Sequence, residues 1–322
     1  MRCVLIYNPA SGRKRERRFS QLGQAADALT ARGHQVQLIA TTAPGSAIAQ
    51  AKEAIQAGAE IVFACGGDGT IHEVMQAVVS ESSVHGAALG IIPLGSANAL
   101  ARHLGLSLDP VKAALQQIDA APQLIPIGKI QFHGHARYFI VMAGAGPDGA
   151  LVYELLAAHK LALGRLAYYF HSARIFATRP FRPFEIEYTE AATGLKITRS
   201  AVSVMAVRVG SLGGLFNRLT SSGAALHDPH LRLFILSPPA WLSLPLWFLS
   251  GWLGLLRLNP FLRSVEVSSF SCSPSAGSAA RVQADGELLG RIPVEVSLIP
   301  SALSILIPDS RLTTPGHFQA RR

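Results

Sequence analysis

Strand-length apolar runs alternate with helix-period segments over the first third of the chain, and this alternation restricts the possible folds more than any other feature. The runs are Val4 to Tyr7, Val36 to Ala40, Ile61 to Ala64 and Leu89 to Ile92. Between them, Arg17 to Ala31, Ser46 to Ala57 and Ile71 to Val79 carry apolar residues at i, i+3 and i+4. Two more helices are expected at Ala97 to Leu104 and at Val111 to Ile118, after Asp109-Pro110. Repeated βαβ units of this kind build a parallel sheet, whose ligands gather at the carboxyl edge of the strands. After Pro122 the pattern changes to strand-like segments separated by turn signals: Ile127 to Phe132, Tyr138 to Met142, Phe184 to Tyr188, Lys196 to Val209, Leu231 to Leu236, Val265 to Phe270, Arg281 to Ala284, Val294 to Leu298 and Leu303 to Ile307. That series predicts an antiparallel sandwich, interrupted by a helix at Ala150 to Ala177 and by an apolar stretch near Leu233 to Leu256.

Composition narrows the class. With 322 residues, 49% hydrophobic and only 15% charged, the chain fits neither long disorder nor a coiled coil. Its net charge of +9 favours an anionic partner: phosphates, nucleic acid or acidic lipid. Cys3, Cys65 and Cys272 form neither a CxxC pair nor an even framework, which points to a reducing compartment. The apolar stretch holds all three tryptophans. Its prolines Pro238, Pro239 and Pro245 are expected to break a helix at its start and middle, while Trp241, Leu244, Phe248, Trp252 and Leu255 share a helical face suited to a membrane boundary. A lipid-facing helix, a buried core helix and a true span are all compatible with this segment.

The strongest chemical signal is Ile61 to Val74: an apolar strand, the turn Gly66-Gly67-Asp68-Gly69-Thr70, then an amphipathic helix through Ile71, His72 and Glu73. Glycines admit backbone N–H groups to phosphate oxygens, and the helix presents its positive end. Asp68 would repel a bare phosphate, so it implies a magnesium-bound nucleotide, or a hydrogen bond to a ribose or a backbone amide. A tight βα turn with a capping Asp or Thr is the structural alternative. A second turn of similar design, Pro93-Leu94-Gly95-Ser96-Ala97-Asn98, follows the next strand and is expected on the same edge. The loop Asn8-Pro9-Ala10-Ser11-Gly12, with its five cations from Arg13 to Arg18, and Thr41 would lie there too. The literal GxGxxG at Gly144 to Gly149 lacks a carboxylate about 20 residues on and reads instead as a close backbone approach. Carboxylates are scarce in the second half, which singles out Asp228, before a strand, and Asp285 and Glu287, around a turn, since a phosphoryl acceptor hydroxyl needs a base near it. The histidines show no zinc spacing.

These motifs, with Asn8-Pro9-x-Ser11-Gly12, Gly66 to Thr70 with Glu73, Pro93 to Arg102, Gly144-x-Gly146-x-Asp148 and Asp285-Gly286-Glu287, resemble the diacylglycerol kinase catalytic-domain family, which includes sphingosine and ceramide kinases. The resemblance implies an α/β nucleotide-binding domain similar to NAD kinase and phosphofructokinase over 1–124 with 302–322, and a β-sandwich lipid-substrate domain over 125–301. It implies ATP at Asn8, Pro9, Ala10, Ser11, Gly12, Thr41, Gly66, Gly67, Asp68, Gly69, Thr70, Ile71, His72 and Ser96, with Asn98 in the second turn beside them. Glu287 would be the acceptor-hydroxyl base, with Asp285 beside it and Asp68 serving catalysis at the nucleotide. A structural Mg²⁺ would use Asp228 and the carbonyls of Ala225 and His230, and lipid would enter between the domains near the Trp-bearing helix.

The sequence departs from the family's pattern at His72, at Ala99 and at His227-Asp228-Pro229. The expectation is therefore an ATP- and Mg²⁺-dependent lipid kinase, cytoplasmic and peripheral at an anionic membrane, phosphorylating diacylglycerol to phosphatidic acid. A sphingoid or ceramide kinase, a NAD kinase-like enzyme and a non-catalytic nucleotide- or lipid-binding regulator are the alternatives. No nucleic-acid partner is expected, and the oligomeric state stays open, a homodimer among the options.

Overall fold

The computed structural model describes residues 1–9, 15–95, 97–147, 181–210, 226–275 and 277–308, with the side chains of 15–17, 82–85, 248 and 252 outside the description. The helix expected at Ala150 to Ala177 therefore lies outside the described residues. The chain divides into two compact units, 1–127 with 299–322, and 128–298.

In the first unit, β1 (Arg2–Tyr7), β2 (Gln35–Ala40), β3 (Ile61–Gly66) and β4 (Ala88–Pro93) form a parallel sheet in the order β2-β1-β3-β4. Ile305 of β15 (Val294–Leu306) pairs with Leu89 of β4, again in parallel. Strands β1, β3 and β4 are near-continuous apolar runs because both faces are covered, whereas β2, at the edge, is largely exposed. Helix α1 (Arg15–Ala31) packs against α5 (Pro110–Ile118), and α2 (Ser46–Gln56) packs against α3 (Asp68–His85). Leu5, Phe63, Cys65 and Ile92 join Leu22, Leu29 and Ile118 in one of its cores. Short helix α4 (Ala99–His103) follows β4.

Strand order reverses at β1: the connection to β2 goes one way and the next crossover returns to β3 on the other side. Loops leaving the carboxyl ends of β1 and β3 therefore diverge, which opens a crevice at this point of the edge.

The second unit is sheet-rich and antiparallel. Its main strands are β7 (Met142–Ala145), β10 (Ser203–Val207), β11 (Leu231–Leu236), β12 (Leu262–Ser273), β13 (Arg281–Ala284) and β14 (Glu287–Arg291). They are ordered β14-β13-β7-β10-β11-β12, with the start of β15 alongside β12. On β12 a second ladder runs through β8 (Phe184–Glu190) to β9 (Lys196–Ala201), and β5 (Pro122–Phe132) pairs with β6 (His135–Phe139).

Several elements differ from their sequence reading. The strand expected from Tyr138 to Met142 is interrupted, because the amides of Ile140, Val141 and Met142 all donate to Asp285. Lys196 to Val209 splits at Val202 into β9 and β10, and the two segments expected at the end of the sheet are one strand, β15. Strand β14 has no period-2 pattern in Glu-Leu-Leu-Gly-Arg and is not foreshadowed by the sequence.

Of the prolines of the apolar stretch, one acts differently from expectation. Pro239 caps helix α6 (Ala240–Leu253), but Pro245 sits inside it. It is the sixth residue, so it removes a single bond, to the carbonyl of Trp241, whose side chain is 76% exposed. The predicted helical face is also redrawn: Leu244 and Trp247 are buried against Val202, Met205, Phe234 and Leu236, while Trp241 faces out.

Candidate active site

Register places the ends of four strands of the first unit on one edge. Tyr7 is opposite Ala40 and Cys65, and Gly66 is opposite Pro93. The amide of Asn8 donates to the carbonyl of Cys65 at 3.3 Å, and that of Thr41 to Tyr7 at 2.8 Å. Asn8 is therefore held at the crevice, with Pro9 next to it. Ala10, Ser11, Gly12 and Ser96 lie outside the described residues.

The two glycine turns are joined backbone to backbone. Amides of Leu94 and Gly95 both donate to the carbonyl of Gly66, at 2.8 and 3.1 Å. A Cβ on Gly95 would lie 2.4 Å from the Cα of Gly67, and one on Gly66 would lie 2.3 Å from Thr70 Oγ1. Asp68 opens α3, and its Oδ1 accepts the amide of Ala99 at 2.7 Å, capping α4 across the gap between the turns. Of the roles open to Asp68 in the sequence, the backbone-amide bond is thus present. Asn98, in the left-handed region at φ 49, is 3% exposed and donates from Nδ2 to the Gly95 carbonyl at 2.9 Å. Its Oδ1 has no partner among the described residues, leaving a buried acceptor at the second turn.

Not every residue in the expected nucleotide set offers a side chain. Ile71 and His72 are 2% and 4% exposed, one belonging to the core and the other lying beside Gln76. Thr70 is buried at the Gly66 contact, whereas Gly69 is exposed, and a Cβ added there would meet nothing within 4 Å. Glu73, which the sequence motif leaves without a role, accepts the amides of Gly45 at 2.9 Å and Ala47 at 3.2 Å, so it caps α2 and secures the loop that follows Thr41. The spacing from Asp68 to Glu73 could not reveal this, since the partners lie on another helix.

In the second unit, Asp285 and Gly286 form the two-residue hairpin between β13 and β14, with φ of 48° and 85° and Ala284 opposite Glu287. Both residues occupy the left-handed region, as an Asp-Gly type I′ turn requires. The carboxylate of Asp285 accepts amides from Ile140 at 2.8 Å and from Val141 and Met142 at 2.9 Å. Glu287 is different: its side chain is 46% exposed, 3.8 Å from Nε of Arg137 on β6. Asp285 is engaged by the backbone, whereas the Glu287 side chain is half exposed.

Residues 2–130 match the family described as the diacylglycerol kinase catalytic domain. A diacylglycerol kinase of Bacillus subtilis (strain 168) is 32% identical over 236 residues, which is 73% of this chain and 73% of that one. The chain belongs to the diacylglycerol kinase family. A diacylglycerol kinase of Staphylococcus haemolyticus (strain JCSC1435) is 26% identical across 94% of this chain and 87% of its own. A crystal structure of a diacylglycerol kinase from Bacillus anthracis str. Sterne shares the fold, with a TM-score of 0.71 at 19% identity over 96% of this chain and 98% of that one. The fold is that of the NAD kinase-like enzymes. As a kinase of this family the chain takes ATP as its phosphoryl donor.

Asp228, which the resemblance assigns to a structural Mg²⁺, lies within the field of a buried cation. Arg208, which follows β10, is 1% exposed and donates from Nη2 to the carbonyl of Leu226 at 2.5 Å, while its own amide donates to Val141. Burial lowers its pKa to about 10, and the charges of Asp228 and Asp285 act in the opposite direction. The guanidinium is therefore protonated at neutral pH. Among the described residues no cluster of three His, Cys, Asp or Glu could hold a metal. Ala225 lies outside them, and His230 is partly buried. Sequence inspection misses Arg208 because nothing in Ala206-Val207-Arg208-Val209 marks it as more than a strand end.

Arg208→Met should lower stability by about 1–3 kcal/mol, because it strips the buried carbonyl of Leu226 of its donor. A drop in melting temperature on adding EDTA to the nucleotide-free kinase, restored by Mg²⁺, is the result that a structural metal at Asp228 predicts.

Proposed function

We propose that this kinase transfers the γ-phosphoryl group of ATP to the primary hydroxyl of diacylglycerol, giving phosphatidic acid and ADP. The observation that carries the reading is the contact between the two glycine turns at the carboxyl edge of β3 and β4, with Asp68 bonded across them. Backbone amides there meet phosphate oxygens without interference from a Cβ, and the first turn of α3 adds its positive end. The relatives' names supply the acceptor class.

In the transfer, the bond from the γ-phosphorus to the bridging oxygen breaks as the acceptor oxygen bonds to phosphorus, and the acceptor proton passes to Glu287. Arg137 orients that carboxylate. Asp285 fixes the hairpin from which Glu287 projects, so its contribution is positional. Asp68 would hold magnesium carried in on the nucleotide, which would supply neutralisation of the triphosphate charge. The chain works at the cytoplasmic side, held peripherally on anionic membrane by its basic balance.

The test is radiolabelled ATP with vesicles containing diacylglycerol, sphingosine or ceramide, and with free NAD. Label in phosphatidic acid is the expected result. Label in a sphingoid product or only in the dinucleotide would reassign the acceptor, and nucleotide binding without any labelled product would overturn catalysis.

A further inference from the structure

We infer that the outer face of α6 and the short 3₁₀ turn behind it (Leu256–Leu258) form a membrane-docking element that lies in the plane of an anionic bilayer. The inference rests on the lipid-kinase reading for its purpose and on the following observations for its place.

Helix α6 has no charged residue and is apolar on both sides. One side, through Leu244 and Trp247, is committed to the core beneath it. The other displays Trp241, Pro245, Leu249 and Leu253 at successive steps of four residues, a single stripe along the helix. Trp241 is 76% exposed, Leu249 50% and Leu253 53%, and the stripe continues into Leu255 at 46% and Leu258 at 75%. Five of the eleven large apolar side chains exposed among the described residues thus come from one short segment, a concentration unlike scattered surface leucines.

Length decides the orientation. Fourteen residues at about 1.5 Å each reach about 21 Å, short of the roughly 30 Å hydrocarbon layer. No helix among the described residues is long and apolar enough to cross a membrane. A short helix with a wet aromatic end and an apolar outer stripe instead sinks into the boundary between headgroups and acyl chains.

Charge selects the occupant. From Pro229 to Val265 there is no Asp or Glu, while Arg232, Arg257 and Arg263 fall in the same span. Arg232 is paired with Glu266 and Arg263 with Glu190, but Arg257 is exposed within the turn itself, between Leu255 and Leu258. A cation set among exposed leucines, in a span that carries no acid of its own, matches an anionic bilayer. A second copy of this chain, itself carrying +9, would bring like charge to the same place.

The experiment compares the full chain with the triple variant Trp241→Ser, Leu249→Ser, Leu253→Ser. Cosedimentation uses vesicles of phosphatidylcholine containing phosphatidylglycerol. Loss of three inserted side chains should weaken partitioning tenfold or more, about what the removal of even one large apolar group from an apolar phase delivers. Melting temperature should not fall, since the three are on the surface. Phosphorylation of a short-chain diacylglycerol dispersed as monomers should be the same in both proteins. Unchanged sedimentation of the triple variant overturns the proposal, as does a dimer in sedimentation velocity that the variant abolishes without loss of vesicle binding, for then the face joins two copies. If neither protein phosphorylates the short-chain lipid while vesicle binding still depends on the stripe, the acceptor assignment fails and the docking element stands.

Discussion

Glu287→Gln is expected to cut lipid-dependent ATP turnover about 100-fold or more while leaving the fold and nucleotide binding intact, because removing a positioned base typically costs that much. Glu287 is half exposed and its ion pair with Arg137 spans 3.8 Å between accessible side chains. Such pairs contribute about 0–1 kcal/mol, so the melting temperature should scarcely move. Asp285→Ala should behave in the opposite sense. Its carboxylate receives three consecutive backbone amides, and its own amide bonds to Met142 at 2.8 Å. Deleting the acceptor strands donors of the β6–β7 connection and should lower stability by about 3 kcal/mol or more, so its activity loss should track unfolding. Asp285→Asn, which keeps one acceptor oxygen, should recover part of the stability. Turnover and thermal melts on the same preparations separate the two residues. A stable, inactive Asp285→Ala with an active Glu287→Gln would exchange their roles.

How much of this is legible in the sequence depends on the range of the interaction involved. The parallel strands are readable because Val4 to Tyr7 or Ile61 to Ala64 need only local apolarity, and the observed strands β1 and β3 extend them by two residues each. The placement of both glycine turns on one edge follows from the topology of βαβ units. Interactions between distant residues are not readable. Asp285 interrupts a strand 145 positions earlier by taking its amides, and no local pattern in Tyr138 to Met142 records it. Glu73 caps a helix 26 to 28 positions before it, and Arg208 donates to the carbonyl of Leu226, 18 positions on. The face of α6 is misplaced for a further reason. In a helix that is apolar all round, periodicity cannot tell the buried side from the exposed one, and only the strands beneath it, β10 and β11, decide.

The glycines of the two turns look alike in the sequence yet serve different ends, and alanine substitution should separate them. Gly95→Ala places a methyl 2.4 Å from the Cα of Gly67 and 2.7 Å from Asn98 Oδ1. Neither neighbour can withdraw: the Gly67 carbonyl accepts the amide of Ile71, and Asn98 is tied by Nδ2 to Gly95 itself. The turns must separate, at a cost of about 1–3 kcal/mol by the usual penalty for overpacking, and the cradle they form together is lost with them. ATP affinity should fall by about 100-fold, the equivalent of about 2.7 kcal/mol at 1.36 kcal/mol per decade. Gly69→Ala is the control. Its Cβ meets nothing within 4 Å, and it lies in the first turn of α3, where alanine is the better helix former by about 1 kcal/mol. Protein stability should therefore hold or rise. With the triphosphate at the proposed place, a methyl on this open, exposed helix start would take up room that a phosphate needs. Nucleotide titration of Gly69→Ala should thus show weakened ATP binding in a protein at least as stable as the parent. Full ATP affinity in Gly69→Ala, or a Gly95→Ala protein that binds normally, would move the triphosphate away from these two turns.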